Sequence, residues 1–287
     1  MHPMLNTAIK AARLAGKIIN SNSKKLDEVT VKRKGPRDYV TGVDLLCEQE
    51  IARALLTAYP SHAVQGEEFG LRVLKDLLDP EDPEASRSAQ DAETAEFRWV
   101  IDPIDGTSNF IHGFPVYAVS IALTHRTRTN LGALHVQVTQ AVIFDPTRNE
   151  LFTASRGTGA FLDDRRIRVG NRTKFHEALL GAHWPGSADV DGGAARFRNM
   201  SESCAATRRM GSSVLDLAYV AAGRLDGFCG VGLKPWDLAA GSLLVLEAGG
   251  LVGDFEGEQT YMETGNVLAA SPKIFTAMVG SLQPRAA

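Results

Sequence analysis

Apolar residues recur at helical spacing in two early segments of the chain. In residues 4–22 and again in residues 43–59 they return every three or four positions, and Pro60 stops the second run. This spacing predicts two amphipathic helices. Shorter apolar runs rich in β-branched residues predict strands. The predicted strands are 29–32, 63–66, 99–102, 116–124, 131–138, 141–145 and 150–154. Several are consecutive, which favours an antiparallel sheet.

The second half of the chain mixes helices with strands. Helices are predicted over 212–222 and from about residue 237 to residue 248. Strands are predicted at GFCG, residues 227–230, and within AGGLVGDF, residues 248–255. The helix before AGGLVGDF ends at a glycine pair, as helices often do. The whole order predicts an α+β fold without internal repeats.

Residues 71–98 depart from this pattern. The segment contains Pro80 and Pro83, and its acidic residues outnumber its basic ones. Few of its positions are large and apolar, so it offers little surface to a core. We expect an exposed, mobile insertion here.

Composition narrows the classes of function. The chain has 287 residues, 44% of them hydrophobic, 23% charged, with a net charge of −3. This balance predicts no direct nucleic-acid binding, which would call for a basic surface. The three cysteines lie far apart without a CxxC pair, which is typical of a reducing compartment and not of a zinc site. The first twenty residues are amphipathic and no apolar run reaches membrane length, so we expect a cytoplasmic protein without membrane attachment.

The stretch WVIDPIDGTSNF, residues 99–110, carries the first candidate chemistry. Asp102 and Asp105 follow an apolar strand directly and flank Pro103. A tight turn with one aspartate as a cap explains such residues without any function. A metal site explains them as well, because hard carboxylate oxygens are ligands of Mg²⁺.

Other acidic residues stand at similar junctions. Glu67 and Glu68 follow a predicted strand in AVQGEEFG, and Asp44 and Asp237 lie at predicted helix starts. At a helix start an aspartate also serves as a cap or a favourable charge. If the fold brings these carboxylates together, two charges 4 Å apart repel by roughly 4 kcal/mol at an effective dielectric near 20. Protonation or bound cations would then be required, and sequence spacing leaves the convergence open.

Two long motifs make the chain resemble a known family. WVIDPIDGTSNF resembles the first signature of the inositol monophosphatase family, and WDLAAGSLLVLEAGG resembles the second. GEE and VLDLAYVAAGRLDG follow the same order, and GLKPWD is similar to the bacterial SuhB-type branch. The resemblance implies a layered αβαβα sandwich with an N-terminal antiparallel sheet and a smaller C-terminal mixed sheet. It implies one domain over 1–287 with two lobes. The lobe at roughly 1–155 would bind metal and phosphate, and the smaller α/β lobe at 156–287 would complete the site.

The resemblance assigns metal ligands residue by residue. It implies a first Mg²⁺ bound by Glu67, Asp102 and the backbone carbonyl of Ile104. It implies a second, weaker Mg²⁺ bound by Asp102, Asp105 and Asp237. The resemblance also implies a third ion, bound through Glu67 and mostly by water. Two or three ions per site are therefore expected.

It also implies catalytic and phosphate-binding roles. Thr107, paired with Asp44, would orient and deprotonate the attacking water, and Glu67 would act beside them. The amides of Gly106 and Thr107 would donate to phosphate oxygens. Lys34 resembles a loop lysine near the third ion, although a solvated surface charge is an equal interpretation.

The implied substrate is the phosphate monoester of a small polyol, most simply inositol 1-phosphate. Gly211 and Ser212 match the contacts to the substrate ring. Family members that act on inositol usually carry a glutamate seven residues before the second-signature aspartate, where this chain has Gly230. That departure affects the expected specificity for the alcohol part of the substrate and not the expected metal chemistry.

The family resemblance also implies lithium sensitivity and a homodimer. Nucleotide 3′-phosphatase or fructose 1,6-bisphosphatase activity stays open as an alternative. SuhB-type relatives associate with transcription antitermination factors and RNA polymerase, so a protein-interaction role is a second alternative. A haloacid-dehalogenase-type phosphatase fits poorly, because its Asp-x-Asp-Gly-Thr motif is one residue shorter than Asp-x-x-Asp-Gly-Thr here.

Overall fold

The structure is a computed structural model. It describes residues 2–35, 38–78, 85–128, 134–184 and 193–282. The α-helices are α1 Pro3–Asn22, α2 Gly42–Ala58, α3 Leu74–Leu78, α4 Ala85–Thr94, α5 Thr107–Ile111, α6 Gly193–Ser203, α7 Ser213–Ala221, α8 Pro235–Glu247, α9 Tyr261–Thr264 and α10 Pro272–Leu282. Short 3₁₀ helices lie at Leu26–Glu28 and Phe175–Glu177.

The strands form three sheets. They are β1 Val31–Gly35, β2 Asp38–Thr41, β3 Ala63–Gly66, β4 Gly70–Arg72, β5 Phe97–Asp105, β6 Ala118–Arg128, β7 Leu134–Asp145, β8 Glu150–Ser155, β9 Gly159–Leu162, β10 Arg165–Arg166, β11 Leu179–His183, β12 Ala206–Arg208, β13 Gly227–Gly230, β14 Leu251–Gly253 and β15 Val267–Ala270. β1 and β2 form a separate antiparallel ribbon.

The large sheet has the order β10-β9-β8-β7-β6-β5-β3-β4. All its pairs are antiparallel except β3 with β5, which is parallel. The smaller sheet has the order β12-β11-β13-β15-β14 and mixes parallel with antiparallel pairs. The predicted α+β class and its two kinds of sheet are therefore confirmed.

Three apolar cores hold five layers of helices and sheets together, and the middle core spans two of the contacts between layers. One core joins α1 and α2 to the large sheet, around residues such as Trp99, Ile51 and Ile121. The middle core sandwiches α7 and α8 between the two sheets. The third core packs α6 and α10 against the outer face of the smaller sheet. Because α7 and α8 contact both sheets, they bring elements of the two chain halves together.

Several predicted boundaries change for physical reasons. The predicted strands at 131–138 and 141–145 are one strand, β7, and residues 131–133 lie outside the described residues. Its register to β6 shifts between Leu123 and Thr124, and such an irregularity lets a long strand continue through polar residues. The helix predicted from residue 237 begins at Pro235, because a proline at the first helical position costs no hydrogen bond.

The segment 71–98, predicted as an exposed, mobile insertion, is at least partly exposed at all but one of the positions whose burial the structure describes, but it forms regular elements. The segment contributes to β4 and β5 and forms α3 and α4. Ala92 of α4 is fully buried, and Arg98 of β5 donates to its carbonyl oxygen at 3.1 Å. The polar composition of the segment gave no sequence signal for these short helices, because a helix needs only one apolar stripe to pack. Pro80 and Pro83 lie outside the described residues.

A matched pair of glycines tests the packing of the middle layer. A Cβ at Gly241 of α8 would lie 2.5 Å from Leu217 Cβ of α7, whereas nothing lies within 4 Å of one at Gly280 of α10. We expect Gly241→Ala to lower the free energy of unfolding by about 1–3 kcal/mol through overpacking. Gly280→Ala should raise it by up to about 1 kcal/mol through helix propensity. Urea unfolding measures both, and stabilisation by both substitutions would contradict the close crossing of α7 and α8.

Candidate active site

A bulge in β5 brings its two aspartates to the same place. Asp102 pairs with Ser120 of β6 and Asp105 with Ala118, so β5 has one residue more than β6 between the pairs. In a regular strand, residues three apart point to opposite faces of the sheet. The extra residue cancels that alternation. Pro103 lies inside the bulge, where its missing N–H breaks no ladder bond.

The start of α8 supplies the third carboxylate. One oxygen each of Asp102, Asp105 and Asp237 lies within 4.8 Å of the others. Ser120 of β6 donates to the carbonyl of Trp236 at 3.3 Å, which ties the helix start to the large sheet. The Asp237 carboxylate accepts a hydrogen bond from Lys234 N at 2.7 Å, so the residue also caps its helix.

Each of these aspartates has a different set of hydrogen bonds. Asp102 is buried, its Oδ1 accepts from Ile104 N at 3.0 Å, and its Oδ2 is a buried oxygen without a hydrogen-bond partner in the described structure. Asp105 Oδ2 accepts from Ser212 Oγ at 2.7 Å and from Val214 N at 2.8 Å. A buried oxygen that lacks a donor is costly unless a proton or cation satisfies it.

Burial and mutual repulsion raise the pKa of all three aspartates. Burial, followed by the nearby carboxylates, raises the pKa of Asp102 well above its usual range. Burial, followed by the charge of Asp105, raises the pKa of Asp237 to about 8. Burial raises the pKa of Asp105 to about 6, against its hydrogen bonds from Val214 and Ser212. Burial first, and the neighbouring negative charge second, shift each carboxyl toward its protonated form relative to a solvated aspartate.

Glu67 and Glu68 lie at the turn after β3, where Lys34 contacts both. Lys34 Nζ is 2.9 Å from Glu67 Oε1 and 2.8 Å from Glu68 Oε1. Desolvation opposes the lysine charge, but these two hydrogen bonds outweigh it and raise the pKa of Lys34. Glu67 also interacts electrostatically with the aspartates and raises the pKa of Asp102. Lys34 thus contacts both glutamates directly, and its place near a third ion stays a prediction.

Asp44 and Thr107 form the predicted pair. Thr107 Oγ1 lies 3.1 Å from Asp44 Oδ1 and 3.1 Å from the carbonyl oxygen of Ile104. Asp44 is buried at the start of α2 and forms a capping box with Thr41, whose backbone N donates to Oδ2 at 2.8 Å. Its capping role and its contact with Thr107 therefore coexist. Burial raises the pKa of Asp44.

Gly106, the residue immediately before α5, has a backbone conformation that favours glycine. Its φ is 104°, and a Cβ there would lie 2.9 Å from the carbonyl oxygen of Val116. Asn109 of α5 donates to the carbonyl of Met210 at 2.8 Å, which holds the loop carrying Gly211 beside Gly106. The amides of Gly106 and Thr107 stay predicted donors to phosphate oxygens.

Two positions bear on the predicted recognition of the alcohol: Ser212, a predicted ring contact, and Gly230, which replaces the usual glutamate. Ser212 is 1% exposed and its hydroxyl donates to Asp105 and accepts from Leu215 N at 3.4 Å. Its contact with a substrate stays a prediction. Gly230 is buried in β13, and a Cβ there would lie 2.5 Å from Leu233 Cδ1. A glutamate at position 230 would therefore require Leu233 to move.

The donor set fits a hard divalent cation. It consists of carboxylate oxygens, including the Oδ2 of Asp102 that lacks a hydrogen-bond partner in the described structure. All-oxygen ligands of this kind favour Mg²⁺ over softer metals. The structure brings Asp102, Asp105 and Asp237 together, and Glu67 is close enough to interact electrostatically with Asp102. Their roles as metal ligands stay a prediction.

Sequence reasoning missed one acid near this site, Glu48 of α2. It is 1% exposed and accepts hydrogen bonds from the backbone N–H groups of Glu68 and Phe69 at 2.8 and 2.7 Å. Burial raises its pKa to about 7. The available signal was its spacing: Glu48 follows Asp44 by four residues and lies in the same apolar stripe as Cys47 and Ile51.

Comparison with known proteins identifies the family of this chain. The sequence profile of the inositol monophosphatase family matches residues 1–286. The chain belongs to the inositol monophosphatase family. The predicted family is confirmed, and its membership supports a phosphatase activity.

Individual relatives cover nearly the whole chain. A Nus factor SuhB from Pseudomonas aeruginosa is 46% identical over 288 residues, 99% of this chain and 97% of the relative. The crystal structure of the extragenic suppressor protein SuhB from Bartonella henselae has a TM-score of 0.86 at 34% identity, covering 99% of this chain and 100% of that one. An IMPase from Thermotoga maritima has a TM-score of 0.79 at 29% identity, covering 97% and 96%.

Among the residues that the structure describes, no helix combines the length and apolar character needed to cross a membrane.

The raised pKa values predict how metal-free protein responds to pH. A carboxyl whose pKa is higher in the folded state stabilises the fold at low pH and loses that contribution as pH rises through the folded value. This loss of stability with rising pH is expected from three groups: Asp105, Glu48 and Asp237, with pKa values of about 6, 7 and 8. In EDTA we expect the free energy of unfolding to fall between pH 5 and pH 9 by more than about 1.4 kcal/mol, the equivalent of one pKa unit.

Urea unfolding across this pH range measures the decline. Asp237→Asn removes one of the titrating groups and should flatten the curve. Mg²⁺ should stabilise the wild-type protein more at pH 8 than at pH 5, because the carboxylates must be ionised to bind it. Stability independent of pH in EDTA would contradict a carboxylate cluster of this kind.

Proposed function

We propose that this protein hydrolyses a phosphate monoester of a small polyol, most simply inositol 1-phosphate, in a Mg²⁺-dependent reaction. The convergence of Asp102, Asp105 and Asp237 within 4.8 Å carries the proposal. The first two residues come from one family signature and the third from the other, far along the chain. Membership in the family supports the phosphatase chemistry.

The ions would be held by four carboxylates and one backbone carbonyl: those of Glu67, Asp102, Asp105 and Asp237, and the carbonyl of Ile104. When bound, Mg²⁺ lowers the pKa of coordinated water and neutralises charge on phosphate and leaving group.

The chain's own residues position the reactants. Thr107 Oγ1, held between Asp44 Oδ1 and the carbonyl of Ile104, orients the attacking water. Asp44 accepts the proton through Thr107, and burial, which raises its pKa, makes it a better base than a solvated aspartate. The amides of Gly106 and Thr107 donate to phosphate oxygens, and Gly211 lies at the edge toward the alcohol.

The alcohol is the open part of this proposal. Gly230 replaces the ring-contacting glutamate typical of members that act on inositol. A nucleotide 3′-phosphate and fructose 1,6-bisphosphate are therefore the alternative substrates to inositol 1-phosphate. A phosphate-release screen with Mg²⁺ over inositol phosphates, sugar phosphates and nucleotide 3′-phosphates identifies the preferred class by kcat/KM. Equal rates for all three classes would argue against a polyol-specific site.

Removing single carboxylates tests the metal assignment. We expect Asp102→Asn and Asp237→Asn each to lower Mg²⁺-dependent kcat/KM by at least about 100-fold, because each takes a charged ligand from the ions. Circular dichroism should show folded protein for both. Glu96→Gln, at an exposed acid outside the cluster, is the control and should keep wild-type rates. Near-normal turnover in Asp102→Asn at saturating Mg²⁺ would remove Asp102 from the ligands.

Lithium sensitivity belongs to the same proposal. If Li⁺ replaces the weaker Mg²⁺ bound by Asp105 and Asp237 after the alcohol leaves, inhibition should be uncompetitive with respect to substrate. Initial rates at several millimolar concentrations of LiCl, with KCl at equal ionic strength as the control, measure this pattern. Full activity in LiCl, with Mg²⁺ dependence intact, would contradict the assignment of the second ion.

A second candidate function is association with the transcription antitermination machinery. Relatives 41–46% identical over nearly the whole chain are described as Nus factor SuhB, which supports this proposal. The expected partners are antitermination factors or RNA polymerase, and a homodimer is the expected form of the protein.

We expect Asp102→Asn to bind purified RNA polymerase and Nus factors as the wild-type protein does, because a protein-binding surface needs no bound substrate. Pull-down from a defined mixture measures this, with bovine serum albumin as the unrelated control. Absence of binding by the wild-type chain would leave only the enzymatic proposal.

A further inference from the structure

Glu48 is a buried acid that the proposed mechanism does not use. It lies one helical turn after Asp44 in α2, so the two side chains share the buried face of the helix. Two backbone N–H groups donate to its carboxylate: that of Glu68 to Oε2 at 2.8 Å and that of Phe69 to Oε1 at 2.7 Å. Both distances are typical of hydrogen bonds strengthened by a charged partner.

Both N–H groups belong to the turn that presents Glu67. β3 ends at Gly66, and residues 67–69 connect it to β4. Lys34 contacts the side chains of Glu67 and Glu68, whereas Glu48 binds the backbone immediately after Glu67. The direction of the Glu67 side chain therefore depends on a backbone that Glu48 holds in place.

The glycine before the two glutamates makes room for this contact. A Cβ at Gly66 would lie 2.0 Å from Oε1 of Glu48 and 2.8 Å from its Oε2. Gly66 is not among the residues with positive φ, so glycine is required here for space and not for conformation. Gly66 and Glu48 thus form one structural unit beneath the turn.

We propose that Glu48 is a positioning residue that sets the Mg²⁺ affinity of the site by fixing the turn that carries Glu67. This inference rests on the proposed function, in which Glu67 is a metal ligand. α2 then serves the site twice. Asp44 orients Thr107 from the first turn of the helix, and Glu48 orients Glu67 from the second.

Glu48→Gln tests the role with little change of shape. The amide keeps one acceptor oxygen but places an NH₂ group opposite the second backbone N–H, so the turn loses one of its two anchors. We expect the Kd for Mg²⁺, measured by isothermal titration calorimetry on folded protein without substrate, to rise about tenfold or more, as for other residues that orient ligands. Unchanged affinity in folded Glu48→Gln would overturn the proposal.

Glu247→Gln is the matched control. Glu247 of α8 also accepts from two backbone N–H groups, those of Gly157 at 2.7 Å and Gly159 at 2.8 Å, at the turn between β8 and β9. The same chemical change there should lower the melting temperature and leave the Kd for Mg²⁺ within about twofold. Equal weakening of Mg²⁺ binding by both substitutions would show a general loss of stability and overturn the positioning role.

Gly66→Ala approaches the same contact from the other side and carries the test if Glu48→Gln does not fold. Its methyl group should displace the Glu48 carboxylate and weaken Mg²⁺ binding in the wild-type background. In a Glu48→Ala background the displaced group is absent, so the same substitution should change the Kd little. Equal effects in both backgrounds would overturn the proposal. A wild-type protein that binds no Mg²⁺ would overturn the proposed function first, which distinguishes the two failures.

Discussion

The oxygens of Asp102, Asp105 and Asp237 meet within 4.8 Å, and like charges at that distance repel. At an effective dielectric near 20, each ionised pair costs roughly 3 kcal/mol. Helix starts offer some compensation, because Asp237 and Asp44 each lie in the first turn of a helix. That compensation is worth about 0.3–1 kcal/mol per residue at exposed positions, so it does not balance the repulsion. The site needs protons or cations, and the rest of the architecture keeps the carboxylates together despite this cost.

The architecture does so by making each acid part of the fold as well. Asp44 completes a capping box, Asp237 caps α8, and Asp105 accepts from the residues that begin α7. The local interpretations of Asp44 and Asp237 as helix-start residues were therefore correct and incomplete. A hydrogen bond from a backbone N–H fixes one oxygen of each carboxylate, which leaves its charge near the cluster. Capping and clustering act together because α2, α7 and α8 all begin at this place.

Local periodicity predicted the long helices α1 and α2, the helices α7 and α8 of the middle layer, and the antiparallel run, because apolar spacing reports which face of an element is buried. Three features lie beyond such a signal. The bulge that aligns Asp102 with Asp105 depends on the pairing of β5 with β6, and β7 continues through Thr139 and Gln140 because of its neighbours. The role of Glu48 depends on a turn far from it in sequence. The family resemblance predicted the convergence of the site, which residue spacing alone left open.

The two halves of the candidate site depend on different parts of the fold. Its metal-binding half combines the bulge of β5, the turn after β3 and the start of α8. The alcohol side of the proposed site would involve the loop at Gly211 and the position of Gly230 in β13, where an added side chain would meet Leu233. Under the proposed function, changes in β13 would alter which alcohol fits without changing a carboxylate. For this reason family membership supports the phosphatase chemistry of this chain more strongly than it supports any particular substrate.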